Sequence, residues 1–231
     1  MKYILEDSGL HPNNCVMSSI LPHDVVVEEL WGNARIDPLL AQERVLAERM
    51  NSRRQQEFSA GRAVARRAVQ RLGLEPLPLL KGANGAPLWQ DGVVGSITHC
   101  EQYCAAAVAS NSAYRGIGID AEPNKPLPEE VRPFILHPYE VAWIASAPAS
   151  AMSWDTMIFS AKEAFYKLWS SVTGFWCDFK DGYVQIDRAK RAFSLSFQDN
   201  GRMNRLTNCH SMSGMFHLSN GIILTTVVAN W

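Results

Sequence analysis

Helical and strand periods occupy separate stretches of this 231-residue chain instead of alternating, and that segregation constrains the fold more than any other feature. Strict alternation would build a doubly wound parallel sheet, whereas separated runs favour an α+β fold. Asp37 and Pro38 read as an N-cap and first helical residue of a helix through Leu39, Leu40, Val45 and Leu46 to Met50. Asn51 and Ser52 interrupt and recap. A second helix carries Phe58, Ala65, Val69 and Leu72 at helical spacing and stops at Gly73, with Arg53, Arg54, Arg62, Arg66, Arg67 and Arg71 as its polar surface. Of these, Arg66, Arg67 and Arg71 read as a solvated face. Val93 to His99, Tyr103 to Ala109 and Gly116 to Asp120 read as short strands after a loop region rich in Pro and Gly.

Asn124 to Pro133 holds three prolines and reads as the connector between halves. Beyond it Ser153 can cap a helix from Trp154 to Trp169, whose apolar stripe is Met157, Ala161, Phe165 and Leu168. Tyr183 to Ile186 and Phe193 to Phe197 alternate as strands. Met215 to Leu218 meets Ile222 to Ala229 across Asn220 and Gly221, the strongest short-range hairpin signal. No internal repeat is visible at residue level.

The chain is 47% hydrophobic with a net charge of −1, a globular composition that offers no overall basic charge for nucleic acid or an anionic membrane. The N-terminus lacks an apolar leader core and no stretch approaches the roughly 18 apolar residues of a spanning helix. A cytoplasmic protein without nucleic-acid or membrane partners is expected. Cys15, Cys100, Cys104, Cys177 and Cys209 lack zinc-finger pairing and read as reduced, mostly buried thiols.

Two acidic clusters carry the chemistry. Asp120 and Glu122 are two apart on a strand and project to one side; Glu163 and Lys167 are four apart on a helix and share a face. Three carboxylates with lysines nearby suit a hard divalent cation and a phosphoryl group. Lys162 points about 100° around the helix from Glu163. His11, His23, His137, His210 and His217 show no metal-ligand spacing. Val172 to Phe179 is more apolar than a loop requires; core packing and a docking surface at Phe175 and Trp176 both remain open.

Arg54, Gly61 with Arg62, Lys81 with Gly82, Gly85 to Trp89, Gly95 to Cys100, Gly118 to Pro123 and Trp154 to Trp169 follow in an order that resembles the 4′-phosphopantetheinyl transferases of the surfactin/enterobactin type. The resemblance implies a pseudo-dimer of two similar α+β halves, 1–123 and 124–231, with coenzyme A in the cleft between them. The first half would contact the coenzyme A phosphates; the second would carry the catalytic helix and the carrier-protein side. A monomer is expected. The implied reaction moves the phosphopantetheine arm of coenzyme A to a serine of an apo acyl or peptidyl carrier protein and releases adenosine 3′,5′-bisphosphate.

The same resemblance implies Asp120, Glu122 and Glu163 as ligands of Mg²⁺, with Mn²⁺ as the other cation that would fit. Glu163, or a water it holds, would accept the serine proton, and Lys167 would stabilise the pyrophosphate or leaving group. Arg54, Arg62, Lys81 and His99 would hold the 3′-phosphate end, with Arg53 the register alternative to Arg54; Ser96, Thr98, Asp120, Lys162 and Lys167 complete the coenzyme A set. Two other readings stay open here. One is another Mg²⁺-dependent phosphotransfer enzyme, the other a catalytically idle module that binds coenzyme A or a carrier.

Overall fold

The computed structural model describes residues 15–32, 34–82, 85–197 and 211–231; Cys209, His11 and His210 lie outside them. The order of elements is β1 (Val26–Trp31), α1 (Ala41–Ala47), α2 (Ser52–Arg71), β2 (Leu80–Lys81), β3 (Pro87–Leu88), β4 (Val93–Cys100), β5 (Tyr103–Ser110) and β6 (Tyr114–Pro123). There follow α3 (Arg132–Ile135), α4 (Pro138–Ser146), α5 (Trp154–Thr173), β7 (Gly182–Asp187), β8 (Ala192–Phe197), β9 (Ser211–Ser219) and β10 (Ile222–Asn230).

Side-chain alternation along β5 explains the layering. Cys104, Ala106 and Val108 pack towards α2, while Tyr103, Ala105, Ala107 and Ala109 join Ile117, Ile119, Ala121 and Leu224 in a second cluster. The antiparallel sheet β1-β5-β4 is thus covered on one face by α2 and on the other by the antiparallel sheet β6-β10-β9-β8-β7. The outer face of that second sheet packs on α5 through Met157, Ala161, Phe165 and Leu168, the stripe expected from sequence. Two α+β halves therefore meet sheet to sheet, with a 20-residue helix outside each.

Gly118 sets how close α5 can lie. A Cβ there would stand 1.8 Å from the Ala164 carbonyl oxygen, so the helix backbone rests directly on β6. The expected hairpin is present: Asn220 and Gly221, at φ 51° and 74°, join β9 to β10 in the left-handed conformations of a tight primed turn.

Three expectations are corrected. The first helix begins at Ala41, because the Asp37 carboxylate is engaged by Arg67 at 2.7 Å and Glu43 reaches back to the Leu40 N–H at 2.9 Å to cap the turn. Arg66 and Arg67 are not a solvated face: they bind Glu43 and Asp37 and fasten α2 to α1 and its preceding loop, whereas Arg71 is exposed as expected and pairs at the surface with Glu28 of β1. The change of sheet falls before Tyr114 and not at 123/124, since β6 hydrogen-bonds to β10 from Tyr114 to Pro123. Hydrogen-bonded register overrides the proline-rich signal, which marks only the return loop. Asn51 does cap α2, accepting the Arg54 N–H at 2.9 Å, and Gly73 follows its end at φ 89°.

Candidate active site

Where the two halves meet, a cleft of about 440 Å³ lies between the α2 side and α5, with Arg54, Lys81, His99, Glu163 and Lys167 among its lining residues. Behind Thr98 and Lys167 of that lining lies β6. Asp120 points from the strand towards α5 and is nearly fully buried. Its Oδ1 accepts from Lys167 Nζ at 2.7 Å and Thr98 Oγ1 at 3.3 Å, and its Oδ2 accepts from Ser160 Oγ at 2.8 Å. Lys167 also donates to the Ile119 carbonyl at 3.1 Å, so one side chain bridges helix and strand. The close seating at Gly118 makes this reach possible.

Burial, and then the Asp120 charge, push Glu122 up to about 7, with Glu163 adding to the shift and Lys167 opposing it. Burial and Asp120 likewise raise Glu163 above its ordinary range. Asp120, Glu122 and Glu163 are thus coupled by charge with only Lys167 opposing, and a hard divalent cation would suit their oxygens and offset that excess charge. As the side chains stand, Lys167 occupies Asp120, and among the described residues no three acidic, His or Cys side chains converge as a ready-made metal cage.

The N-terminal half brings cations to the cleft, with Glu57 beside them. Arg54 Nη1 lies 2.9 Å from His99 Nε2 and 3.1 Å from Glu57 Oε2, while Arg53 is turned outward, 85% exposed, and does not line the cleft. That geometry selects Arg54 over its neighbour. Arg62 is buried, stacked 4.1 Å over the Phe58 ring, with Nε on the Leu79 carbonyl at 2.8 Å. Burial draws it down to about 10. Lys81 comes from the exposed two-residue strand β2 and lies beside Gly85, where a Cβ would stand 3.3 Å from its Cε.

The sequence matches the model of the 4′-phosphopantetheinyl transferase N-terminal domain over residues 42–109 and that of the 4′-phosphopantetheinyl transferase superfamily over residues 116–225. It is 36% identical over 217 residues to 4′-phosphopantetheinyl transferase Svp of Streptomyces mobaraensis, covering 92% of this chain and 88% of the relative. The chain belongs to the 4′-phosphopantetheinyl transferase family. PptT of Mycobacterium tuberculosis is 34% identical over 221 residues, covering 92% of this chain and 97% of that protein. Npt of Nocardia iowensis is 37% identical over 195 residues, covering 81% and 87%. The activity that goes with the family is transfer of phosphopantetheine from coenzyme A to carrier proteins.

In this transferase the structure gathers Arg54, Arg62, Lys81, His99, Glu163 and Lys167 around one cleft; Asp120 lies behind that lining, bonded to Thr98 and Lys167, and Glu122 is coupled by charge to Asp120, Lys167 and Glu163. Ser96 and Thr98 line the same wall, but their hydroxyls are engaged: Ser96 Oγ accepts the Ile119 N–H at 3.2 Å and Thr98 donates to Asp120. They tie β4 to β6. Lys162 departs furthest from expectation. It is 3% exposed and donates to Ile135 O, Glu140 Oε2 and Phe179 O at 2.9, 2.8 and 2.7 Å, so no ammonium hydrogen remains for a phosphate. Burial draws its pKa down while Glu140 opposes.

Phe175 and Trp176 are 63% and 70% exposed, which overturns the core reading for both; Val172, Cys177 and Phe179 of that run pack against the core. Sequence reasoning missed Glu57 and Tyr166 in the cleft lining. Glu57 stands three and four residues after Arg54 and Arg53, a spacing that signals pairing. Tyr166, one turn after Lys162, carried no separate signal. Among the described residues no helix is long and apolar enough to cross a membrane.

Proposed function

We propose that this transferase attaches the 4′-phosphopantetheine of coenzyme A to a serine hydroxyl of an apo acyl or peptidyl carrier protein, in the cytoplasm and as a monomer, with Mg²⁺ or Mn²⁺ held by Asp120, Glu122 and Glu163. The observation that carries this reading is the charge lining the cleft. Arg54, Lys81 and His99 share one cleft with Glu163 and Lys167, a set that suits a ligand with a terminal phosphate and a reactive pyrophosphate. A bound cation supplies neutralisation of pyrophosphate oxygens.

The chain's own residues do the rest. Arg54 and Lys81 donate to the 3′-phosphate, and His99 adds a ring N–H. Lys167, already bridging Asp120 and Ile119, directs its charge to the oxygen that leaves as the phosphorus bond to adenosine 3′,5′-bisphosphate breaks. Glu163, which lines the cleft and whose carboxyl burial and Asp120 hold above its ordinary range, accepts the serine proton as the new serine–phosphorus bond forms. Phe175 and Trp176, exposed next to α5, support a carrier-protein contact there. Their replacement by Ala raises the carrier KM if that contact is made; an unchanged KM in a folded double variant removes it.

The test is intact-mass spectrometry of apo carrier incubated with enzyme, coenzyme A and Mg²⁺, beside a Glu163→Ala control. A phosphopantetheine-sized gain that vanishes in the control supports both reaction and site. A folded enzyme that binds coenzyme A yet modifies no carrier refutes it.

A further inference from the structure

Lys162 is adjacent to Glu163 in sequence but faces away from the cleft. Its ammonium is fully coordinated by three segments distant in sequence: the end of α3 through the Ile135 carbonyl, the first turn of α4 through Glu140, and the loop after α5 through the Phe179 carbonyl. Glu140 is fully buried and satisfied in turn, accepting the His137 N–H at 2.6 Å and the Val184 N–H of β7 at 2.7 Å. One ion pair therefore fixes α4, α5, β7 and the 174–181 loop relative to one another. A buried pair with every ammonium hydrogen and both carboxylate oxygens engaged holds geometry more than it adds stability.

The loop it anchors has no regular secondary structure and carries the exposed Phe175 and Trp176. Trp176 packs edge-on against Tyr166 with ring centroids 4.9 Å apart. Tyr166 and Glu163 line both the main cleft and an apolar groove bordered by Trp176, Cys177 and Phe179. The Phe179 ring also packs on Phe159 of α5, at 5.7 Å. A continuous run of contacts thus leads from Lys162 through the Phe179 carbonyl to Trp176, Tyr166 and the Glu163 end of the cleft. The Arg54 and His99 end lies on the other half and shares none of these contacts.

We infer that Lys162 is a positioning residue: paired with Glu140, it holds the 174–181 loop in the place where the carrier-side half of the reaction needs it. The inference rests on the carrier-modifying reading above. It separates the two ends of the cleft, since loss of the tether disturbs acceptance of the carrier while leaving the nucleotide end intact.

Lys162→Met alone leaves the Glu140 charge buried without its partner and is expected to unfold more readily. The informative variant is Lys162→Met with Glu140→Gln, which removes both charges while the Gln oxygen keeps one backbone N–H. Its Kd for adenosine 3′,5′-bisphosphate is expected within about twofold of wild type, because neither Lys162 nor Glu140 lines the cleft that holds Arg54, Lys81 and His99. Its carrier KM is expected to rise, or its kcat to fall, by about tenfold or more, the scale of a misplaced reacting group. Wild-type carrier kinetics in the folded double variant would overturn the inference, as would equal weakening of nucleotide and carrier. If that variant does not fold, hydrogen exchange of the wild-type protein decides. Amides 179–182 exchanging more slowly than those of the 188–191 turn support the tether; equal rates refute it. Failure of the wild type to modify carrier, by contrast, defeats the functional reading and is seen in the mass assay.

Discussion

Arg54 Nη1 stands 2.9 Å from His99 Nε2, and because a guanidinium can only donate, the contact fixes His99 as the neutral ring with its proton on Nδ1. Burial lowers the His99 pKa below its ordinary 6.5, with Arg54 and Lys167 adding to the shift and Glu57 opposing it. A phosphate placed beside this pair reverses the balance, since an adjacent dianion favours the imidazolium. Binding of adenosine 3′,5′-bisphosphate at pH 6.5 is therefore expected to take up protons, so affinity strengthens as pH falls from 8 to 6.5. Calorimetry in two buffers of different ionisation enthalpy reads the uptake directly. It should disappear in His99→Ala; uptake that persists there assigns the proton elsewhere.

Glu57 competes for the same cations. Burial pulls its carboxyl up, but hydrogen bonds from Arg54 and Arg53 outweigh this and hold it below its ordinary range. In the free protein it neutralises Arg54, so Glu57→Gln releases that arginine to an incoming phosphate. Binding of adenosine 3′,5′-bisphosphate is expected to tighten by about two- to fivefold, roughly 0.5 to 1 kcal/mol for a part-exposed pair. Weaker binding in the variant would instead give Glu57 the role of orienting Arg54.

Removing Lys167 affects two things at once. Lys167→Met strips Asp120 of its cation while Thr98 and Ser160 remain as donors, so the fold survives at moderate cost. Turnover is expected to fall by about 10² to 10³, the usual loss when one donor to developing charge is deleted. Nucleotide affinity should change far less. Parallel steady-state kinetics and bisphosphate titration test this split.

The seating of α5 on β6 depends on one missing methyl group. Gly118→Ala would put Cβ 1.8 Å from the Ala164 carbonyl oxygen, and neither backbone can yield without moving Lys167 away from Asp120. We expect about 3 kcal/mol or more of destabilisation in urea unfolding, the upper range for overpacking, together with loss of activity in the fraction still folded. A variant of normal stability and turnover would show that α5 can shift without disturbing the site.

Glu43 organises the N-terminal half in the same way. It is fully buried, accepts the Leu40 and Leu79 N–H groups at 2.9 and 3.0 Å, and pairs with Arg66. Glu43→Ala leaves the Leu40 and Leu79 amides without acceptors and Arg66 with only the Pro38 carbonyl, and should cost about 3 kcal/mol. Thermal unfolding measures the loss, and Arg62 and Lys81, which flank Leu79 and Leu80, should then bind nucleotide more weakly.

The strands, the two long helices, the Asn220–Gly221 hairpin and the apolar stripe of α5 were legible in the sequence, because each depends on a period or a local turn preference within a few residues. Asp120, Glu163, Lys167, Arg54 and His99 were legible for a different reason: their residue types recur in ordered blocks that resemble one family. Tertiary structure alone decided that β6 belongs with β10, that Arg66 and Arg67 fasten α2 to α1 and its preceding loop, and that Ser96 and Thr98 tie the halves. It also decided that Lys162 turns inward to Glu140, 22 positions earlier in the chain, and that Phe175 and Trp176 face outward. Local propensity cannot contain these facts. A lysine or arginine has the same helical preference whether its charge meets water, a ligand or a buried carboxylate, and only the packing of distant segments selects the partner.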